Sequence, residues 1–417
     1  MPGTTPVPPP VAGKAALLVA FMWVAYFLNY ADRQAVFAMF PALKAGLGMT
    51  DEQLGFVGAA FLWVYGFGCP IAGQLGDRFS KRALVVLSLV VWSIVTVATG
   101  FATSAIMLLV LRGVMGISES LYMPTAIALT ANAHAPEHRS RAIATLTTAQ
   151  IAGGVAGSWF GGWMADRGQW RYAFFALGAV GVLYAVPYFL FLRGVDETPP
   201  REAAKAGRAL AIAALVKVRT FLLLCVVFPV FVFGLWLIYG WLPTFLHDKF
   251  TLNQADAAFN ATVFLSGATA IGLLGGGVLA DVMYRRTKAA RQWLMIASLL
   301  LCAPCLHALG NSDTLSVTRI AAAAFGLFGG LLMGNIFPAA FEVVPADTRA
   351  SAVGALNFCG ALVSGFAAWF GGRWKQSIGI DHLLTFTAVA YVVAGLALLA
   401  GGWLFFREDY ERVHPGV

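Results

Sequence analysis

The sequence predicts an all-α membrane protein in which twelve transmembrane helices form two halves of six. The chain is 59% hydrophobic and only 12% charged, whereas soluble domains carry about 25% charged residues. Its mean hydropathy is +0.76. Apolar runs of about 20 residues, long enough to cross a bilayer as a helix, recur along the whole chain. The alternating pattern of a membrane β-barrel is absent from the sequence, so the spans are expected to be helices.

The predicted spans follow one another at short intervals, with one long interval after the sixth. They cover residues 15–42, 53–76, 83–103, 105–131, 140–165, 171–193, 220–246, 254–280, 291–310, 318–344, 350–374 and 382–406. The long interval predicts a connector between two units. The predicted segments are a Pro-rich cytoplasmic tail (1–14), a six-helix unit (15–193), a cytoplasmic connector (194–219), a second six-helix unit (220–406) and a cytoplasmic tail (407–417).

The positive charge of the chain is concentrated on one side of the predicted spans. The net charge is +8, with 28 Lys and Arg against 20 Asp and Glu. With the N-terminus inside, the cytoplasmic segments hold 19 of the Lys and Arg and the outer loops hold 7. Because Lys and Arg concentrate in cytoplasmic loops, both termini are predicted to be cytoplasmic in a multi-pass inner-membrane protein. The excess charge reflects topology, and no nucleic-acid partner is expected.

The first span contains two adjacent opposite charges, Asp32 and Arg33, within "AYFLNYADRQAVFAMF" (25–40). A charge at this depth costs at least about 2.5–3.5 kcal/mol on insertion scales, so it is expected to face a cavity or a partner. The fourth span carries Arg112 and Glu119, which are seven residues apart and therefore share one helix face. These four side chains are expected to interact in the membrane core.

Two interpretations of this cluster are open. It is either a fixed set of ion pairs that ties the first span to the fourth, or a functional site. Burial favours the neutral form of a carboxyl group and a neighbouring cation favours its ionised form, so Asp32 and Glu119 are predicted to take up and release protons. Arg33 is predicted to hold a carboxylate through two parallel hydrogen bonds.

The loop after the second span is repeated after the eighth. "GQLGDRFSKR" (73–82) corresponds to "GGVLADVMYRR" (276–286) at a constant offset of 204, and "WFGG" occurs at 159–162 and again at 369–372. Two matches in equivalent places indicate an internal repeat. A glycine lets helices approach closely, and an aspartate at a helix end can pair with arginines and with a neighbouring helix N-terminus, which would latch the cytoplasmic side. The predicted gating residues are Gly73, Asp77, Arg78, Arg82, Asp281 and Arg285.

These two loops are the signature of the major facilitator superfamily, which the sequence resembles over essentially its whole length. Ser80 stands where the family usually has Gly, a mild change in a turn. The resemblance implies two six-helix bundles related by a pseudo-two-fold axis, with a central cavity between them. It also implies alternating access, in which one bundle rocks on the other.

A finer resemblance is to the anion:cation symporter family, which includes the galactonate/proton symporter and other sugar-acid transporters. It rests on "NYADR" in the first span, on R-x-x-x-G-x-x-E in the fourth and on "YGWLPTFL" (239–246) in the seventh. It implies that Asp32 and Glu119 couple protons, that Arg33 binds the substrate carboxylate and that Arg112 is their charge partner. It further implies a substrate cavity lined by Tyr30, Tyr65, Gln150 and Asn357. Ser118 and Ser120 stand where the family usually has Gly and Ala, which leaves the pocket shape beside Glu119 open.

The sequence therefore predicts a monomeric secondary transporter that moves a small organic anion, a sugar acid or related carboxylate, together with a proton. One alternative is a Spinster-like transporter of lysolipids or other amphiphiles, since that branch also carries Asp-Arg in the first span and Glu in the fourth. Another is a multidrug exporter, against which the paired Arg33 argues. The spans contain no H-E-x-x-H or G-x-S-x-G motif, so an enzyme is not expected, nor is a cofactor or metal site. The substrate itself, the coupling ion and the direction of transport stay open.

Overall fold

The computed structural model describes residues 12–134, 136–195, 215–345 and 348–414. Within these ranges the chain is helical throughout and has no strand. A π-helical turn, Gly402–Phe406, joins the last two helices. The helices are α1 (Ala12–Ala38), α2 (Phe40–Leu47), α3 (Asp51–Arg78), α4 (Lys81–Gly100), α5 (Ala105–Ser120), α6 (Tyr122–Asn132), α7 (Pro136–Asp166), α8 (Trp170–Leu192), α9 (Arg219–Phe250), α10 (Gln254–Tyr284), α11 (Ala290–Asn311), α12 (Leu315–Val343), α13 (Arg349–Trp374), α14 (Ile380–Gly401) and α15 (Arg407–Val413).

Eleven helical stretches of the described residues are long and apolar enough to cross a membrane. They correspond to eleven of the twelve predicted spans, and the predicted all-α membrane fold is confirmed. The predicted fifth span, 140–165, is α7, which has 31 residues and is long enough but less apolar. It packs against α1 and α10 through small residues. A Cβ atom on Gly157 would lie 2.3 Å from the backbone of Ala31, so α7 and α1 are in close contact.

Two of the predicted spans are broken by turns with identifiable causes. The first is interrupted at Met39, and α2 begins at Phe40 with Pro41 in its first turn, where the missing amide hydrogen is tolerated. The fourth is interrupted at Leu121, between α5 and α6. Pro124 has no amide hydrogen to donate to the carbonyl of Ser120, and its ring crowds that carbonyl, which ends α5 one residue after Glu119.

The helices of each half pack mainly on one another, and the two largest contacts between the halves are made by α3 and α7 of the first half. In the first half α1 packs on α7, α3 on α5 and α4 on α8, and in the second half α10 packs on α12, α9 on α13 and α11 on α14. The halves meet where α3 packs on α13 and α7 packs on α10. In the internal repeat α3 is equivalent to α10 and α7 to α13, so the two contacts are equivalent copies, as a two-fold relation requires. The bounds of the two units and of the connector, of which 196–214 lie outside the described residues, stay predictions.

The halves are held together at one end of the molecule. We call it the outer end, because the predicted topology places the turns at 48–50, 167–169 and 251–253 outside the cell. Among the described residues, the hydrogen bonds and ion pairs that join the two halves all lie at this end or in the adjoining half of the helices. The deepest joins Trp63 Nε1 to the carbonyl of Leu362 at 2.8 Å. The structure is therefore closed at its outer end.

Two aspartates carry most of this closure. Asp51, the first residue of α3, accepts hydrogen bonds from Lys44 Nζ at 2.7 Å and from Gln376 Nε2 of the other half at 3.0 Å. Asp166, the last residue of α7, accepts from the backbone N–H groups of Gln254 at 2.7 Å and Ala255 at 2.9 Å. Its carboxylate thereby caps the N-terminus of α10, where the helix dipole favours a negative charge.

Candidate functional site

The four charged side chains of the first and fourth spans lie together inside the first half. Asp32, Arg33, Arg112 and Glu119 are each at most 4% exposed. α5 packs closely on α3, since a Cβ on Gly116 would lie 2.8 Å from the carbonyl oxygen of Phe61, and Phe61 and Tyr65 of α3 in turn contact Arg33 of α1. We call these four residues the charge cluster.

Arg33 is bonded to Glu119 and enclosed by aromatic rings. Its Nη2 donates to Glu119 Oε2 at 2.7 Å and to Asn29 Oδ1 at 3.4 Å. Its guanidinium carbon lies 4.6–4.7 Å from the ring centroids of three residues, a distance at which cation–π attraction acts. These residues, which we call the aromatic box, are Tyr30, Phe61 and Tyr65. The Nε of Arg33 is buried and finds no hydrogen-bond partner in the described part of the chain. The aromatic box therefore orients a guanidinium that still has an N–H group available to donate.

Asp32 does not pair with its neighbour Arg33. Successive residues on a helix point in different directions, and the Asp32 carboxylate instead reaches α4, where its Oδ2 accepts a hydrogen bond from Thr96 Oγ1 at 2.8 Å. Its other oxygen, Oδ1, is buried without a partner among the described residues. The carboxylate therefore has room for a proton without giving up its existing hydrogen bond.

Arg112 has no carboxylate within 4.0 Å in the described structure, so the predicted role of direct charge partner is not visible as an ion pair. Its Nη1 donates to Met115 Sδ at 3.2 Å. Its Nε and Nη2 are buried without hydrogen-bond partners among the described residues. A buried cation of this kind is costly, and its electrostatic interaction with the two acids of the cluster acts through space.

Two of the four predicted cavity residues lie against Arg33, and a third, Gln150, is linked to them through Tyr26. Tyr30 and Tyr65 are walls of the aromatic box. Gln150 Oε1 accepts a hydrogen bond from Tyr26 at 3.1 Å, and the Tyr26 ring meets Tyr30 edge-on at 5.1 Å. Asn357, on α13 of the other half, is exposed. None of the described hydrogen bonds joins it to the charge cluster.

Sequence reasoning missed several residues that touch the charge cluster or the aromatic box. Asn29 lies four residues before Arg33 and Phe61 four residues before Tyr65, so helical spacing could have indicated both. Tyr26 follows the same spacing from Tyr30. Thr96 gives no such signal, because a threonine in an apolar span ordinarily bonds to its own helix. The carbonyl of Trp92 also lies 2.9 Å from Thr96 Oγ1, so the single hydroxyl hydrogen is shared between this carbonyl and Asp32.

The predicted gating residues lie at the end opposite the outer one. Gly73, Asp77 and Arg78 lie in the last turns of α3, and the side chains there are outside the described ones. Arg82 Nη1 donates to the carbonyl of Val195 at 2.7 Å. Asp281 accepts from Arg291 at 2.9 Å, and Arg291 also pairs with Glu342. Arg285 is exposed. The latch therefore stays a prediction, and among the described contacts Asp281 is bound only within its own half.

The charge cluster occurs in only one of the two repeats. Gly326 of α12 packs on the backbone of α10 much as Gly116 of α5 packs on α3. Three residues further on, where α5 has Glu119, α12 has Gly329. No Asp, Glu, Lys or Arg occurs in the second-half segments 220–247, 257–280, 320–341 or 350–372. The repeat supplies the scaffold twice, and the buried charges belong to the first half alone.

Comparison with known proteins identifies the scaffold. Residues 22–368 match the family model described as Major Facilitator Superfamily. The chain belongs to this superfamily. It is therefore a multi-pass membrane transporter and not an enzyme, as the sequence predicted.

Individual relatives agree with this assignment. The chain is 33% identical over 292 residues to the probable sulfoacetate transporter SauU of Cupriavidus necator, an alignment that covers 66% of this chain and 67% of that one. It is 23% identical over 396 residues to the hexuronate transporter of Bacillus subtilis, covering 92% of each. The predicted resemblance to the sugar-acid transporters is thereby confirmed. A crystal structure of a bacterial homologue of the human lysosomal transporter Spinster, inward-facing and unoccupied, superposes with a TM-score of 0.82 at 21% identity, covering 98% and 99% of the two chains. That likeness shows the fold.

Proposed function

We propose that this transporter carries a small organic anion across the inner membrane together with a proton, by alternating access. The observation that carries the proposal is the buried Arg33–Glu119 pair inside the aromatic box. The names of two relatives support it, since sulfoacetate and hexuronate are both organic anions. A sugar acid or a related carboxylate is the substrate class that we propose.

In the proposed mechanism the substrate anion and Glu119 compete for Arg33. While Glu119 is ionised, its carboxylate occupies Nη2 at 2.7 Å, and a second anion at the same guanidinium would leave an excess negative charge in a low-dielectric site. A proton on Glu119 removes that charge and frees the planar fork, which can then bind the substrate through two parallel hydrogen bonds. Anion binding and proton binding therefore favour each other, which is the requirement for symport.

Asp32 and Arg112 complete the charge balance of the cluster. Asp32 has one free carboxylate oxygen and lies on the helix of Arg33, so it is a second site for a proton. Arg112 is buried without an acid in direct contact, and its positive charge offsets the carboxylates when both are ionised. In this scheme the cluster remains close to neutral in each step of the cycle, which keeps the cost of burial low.

The closed outer end supports an inward-facing state in the proposed cycle. Because the described bonds between the halves lie at the outer end, a substrate at Arg33 would exchange with the opposite side of the membrane. Breaking the contacts made by Asp51 and Asp166 while the predicted latch at Asp77 and Asp281 forms would then give the outward-facing state.

Transport by Glu119→Gln in proteoliposomes tests the coupling. Glutamine mimics a permanently protonated glutamate, so the variant should still exchange labelled substrate across the membrane but should not accumulate it when an inward proton gradient is applied. Glu342→Gln is the matched control, because Glu342 is another buried glutamate paired with an arginine but lies outside the charge cluster. The control should still accumulate substrate. Accumulation by Glu119→Gln against a gradient would show that the coupling assignment is wrong.

A second candidate is transport of an amphiphile, as in the Spinster branch. This candidate is favoured by the second half, which has no charged side chain in the central parts of α9, α10, α12 and α13 and so presents an apolar surface. The exposed rings of Phe67 and Phe358 meet across the interface at 5.4 Å, which suits an apolar tail. Thermal-shift measurements on the purified protein with organic acids and with lysolipids separate the two, because a ligand that binds the folded state raises the melting temperature. Stabilisation by lysolipids alone would favour the second candidate.

A further inference from the structure

A small groove opens between the start of α11 and the π-helical turn that follows α14. It measures about 240 Å³ with its open mouth included, and both of its walls belong to the second half. The residues that matter for the argument are Gln292, Trp293, Ile296, Leu399, Gly402 and Trp403. π-Helical turns are rare and are frequent at functional sites. The groove shares no residue with the charge cluster.

The wall of the groove holds a buried amide without partners. Gln292 is 2% exposed, and neither its Nε2 nor its Oε1 has a hydrogen-bond partner in the described part of the chain. Its Oε1 lies beside the π-helical turn, since a Cβ on Gly402 would be 3.0 Å from it. Buried amides in folded proteins are nearly always hydrogen-bonded. A ligand that offers both an acceptor and a donor would satisfy this one.

The groove lies at the membrane surface that the predicted topology places inside the cell. Gln292 is in the first turn of α11, and Gly402 lies 22 residues after the start of α14, about 33 Å along a helix and close to the thickness of the hydrocarbon core. Trp293 is 42% exposed and Trp403 is 80% exposed. Tryptophan is enriched at the membrane–water interface, where both its ring and its N–H group are accommodated. The mouth therefore opens at the level of lipid headgroups.

The surroundings of the groove are positively charged. Arg285, Arg286 and Lys288 are exposed in the turn just before α11. On the other side, α15 pairs Arg407 with Glu411 at 2.7 Å and Arg412 with Glu408 at 2.9 Å. Its third acid, Asp409, is buried and accepts a hydrogen bond from the Thr220 N–H group, so the exposed charges of α15 cancel. Exposed basic residues beside a helix end on the cytoplasmic side attract anionic headgroups.

From these observations we propose that the groove binds an anionic glycerophospholipid of the inner leaflet. Because the groove is open at its mouth, it would take only part of its ligand. In phosphatidylglycerol an ester carbonyl accepts from Gln292 Nε2, and a glycerol hydroxyl donates to Oε1. The acyl chains remain in the bilayer, and the phosphate faces the basic turn at 285–288.

Native mass spectrometry of the delipidated full-length protein, titrated with dioleoyl phosphatidylglycerol, tests this proposal. Wild type should bind one molecule more tightly than dioleoyl phosphatidylcholine, and inorganic phosphate should not displace it. Gln292→Leu should weaken binding about thirtyfold, which corresponds to about 2 kcal/mol for two lost hydrogen bonds. Trp293→Leu, at an exposed position where folding is not at risk, should also weaken it, because it removes a ring at the level of the headgroups.

Two variants serve as matched controls. Trp159 is 43% exposed, close to the 42% of Trp293, but lies on α7. Ser298 is buried and unpartnered on the same helix as Gln292. Trp159→Leu and Ser298→Ala should bind the lipid as wild type does. Equal affinity in wild type, Gln292→Leu and Trp293→Leu would overturn the proposal, and so would an equal loss in the controls, displacement by inorganic phosphate, or retention of detergent alone.

Discussion

Replacing Arg33 by lysine retains the positive charge of the site but removes the planar fork. In the structure one nitrogen, Nη2, donates to Glu119 and to Asn29, at 2.7 and 3.4 Å. A substrate anion would therefore gain the planar fork only after protonation of Glu119 weakens its bond to Nη2. The lysine ammonium can still lie within the aromatic box, but it cannot make two parallel hydrogen bonds to one carboxylate. Loss of one charge-assisted hydrogen bond costs about 1.5–3 kcal/mol. We therefore expect anion affinity to fall by about tenfold to a hundredfold.

Replacing Arg33 by alanine removes the anion-binding group altogether. Binding should be abolished, yet the protein should still fold and insert, because Glu119, left without its partner, can become neutral by taking up a proton. If the cluster were only a structural ion-pair set, the pattern would be reversed. Arg33→Lys would then leave anion binding nearly unchanged, and Arg33→Ala would express poorly or misfold.

Calorimetry on detergent-purified variants, with a size-exclusion profile of each, distinguishes these outcomes. Arg319→Lys is the matched control, because Arg319 also combines a hydrogen bond, to Asn260 at 2.7 Å, with a nearby aromatic ring, that of Phe264 at 5.7 Å, but it lies in the second half. This control should bind the anion as wild type does. A well-folded Arg33→Ala protein with wild-type affinity for organic anions would refute the assignment of Arg33.

Three further predictions concern the proton site and the two ends of the molecule. Thr96→Val should change the pH dependence of transport, because it removes the hydrogen bond to Asp32. Thr99→Val should not, because the hydrogen bond of Thr99 in the described structure is to the carbonyl of Val95 on its own helix. Asp166→Asn should favour opening of the outer end, because it weakens the hydrogen bonds to Gln254 and Ala255. A hydrogen bond to a charged group contributes about 1.5–3 kcal/mol. Labelling of a single cysteine placed near the outer end should therefore increase. Asp77→Asn and Asp281→Asn should each shift the resting population toward the inward-open state and slow turnover with little loss of binding, as read by single-cysteine reporters on the cytoplasmic side.

Each of these three has an outcome that contradicts it. Identical pH profiles for wild type and Thr96→Val would exclude Asp32 from coupling through that bond. Unchanged outer-end labelling in Asp166→Asn would mean that the cap on α10 does not hold the halves together. Unchanged cytoplasmic labelling in both latch variants would count against a gating role for the repeated loops.

Several features of this protein are predictable from the sequence because the bilayer imposes them on composition. A membrane helix must be long and apolar, so the spans follow from hydropathy. α7 is less apolar than the other predicted spans, but its position and length still predict it as a span. Its lower apolarity reflects packing on α1 and α10 rather than on lipid alone. Charges are expensive at membrane depth, so the sequence by itself marks Asp32, Arg33, Arg112 and Glu119 as functional candidates.

The partners of those charges are decided only by the tertiary structure. Asp32 and Arg33 are adjacent in the chain, yet one reaches Thr96 on α4 and the other reaches Glu119 on α5. Hydropathy and motif spacing are local properties, whereas the partner of a buried side chain depends on how neighbouring helices are rotated and how closely they approach. That approach is set by contacts such as Gly116 against α3, which bring together residues far apart in the chain. The closed outer end has the same origin, since no local pattern specifies that Asp166 meets the start of α10 rather than water.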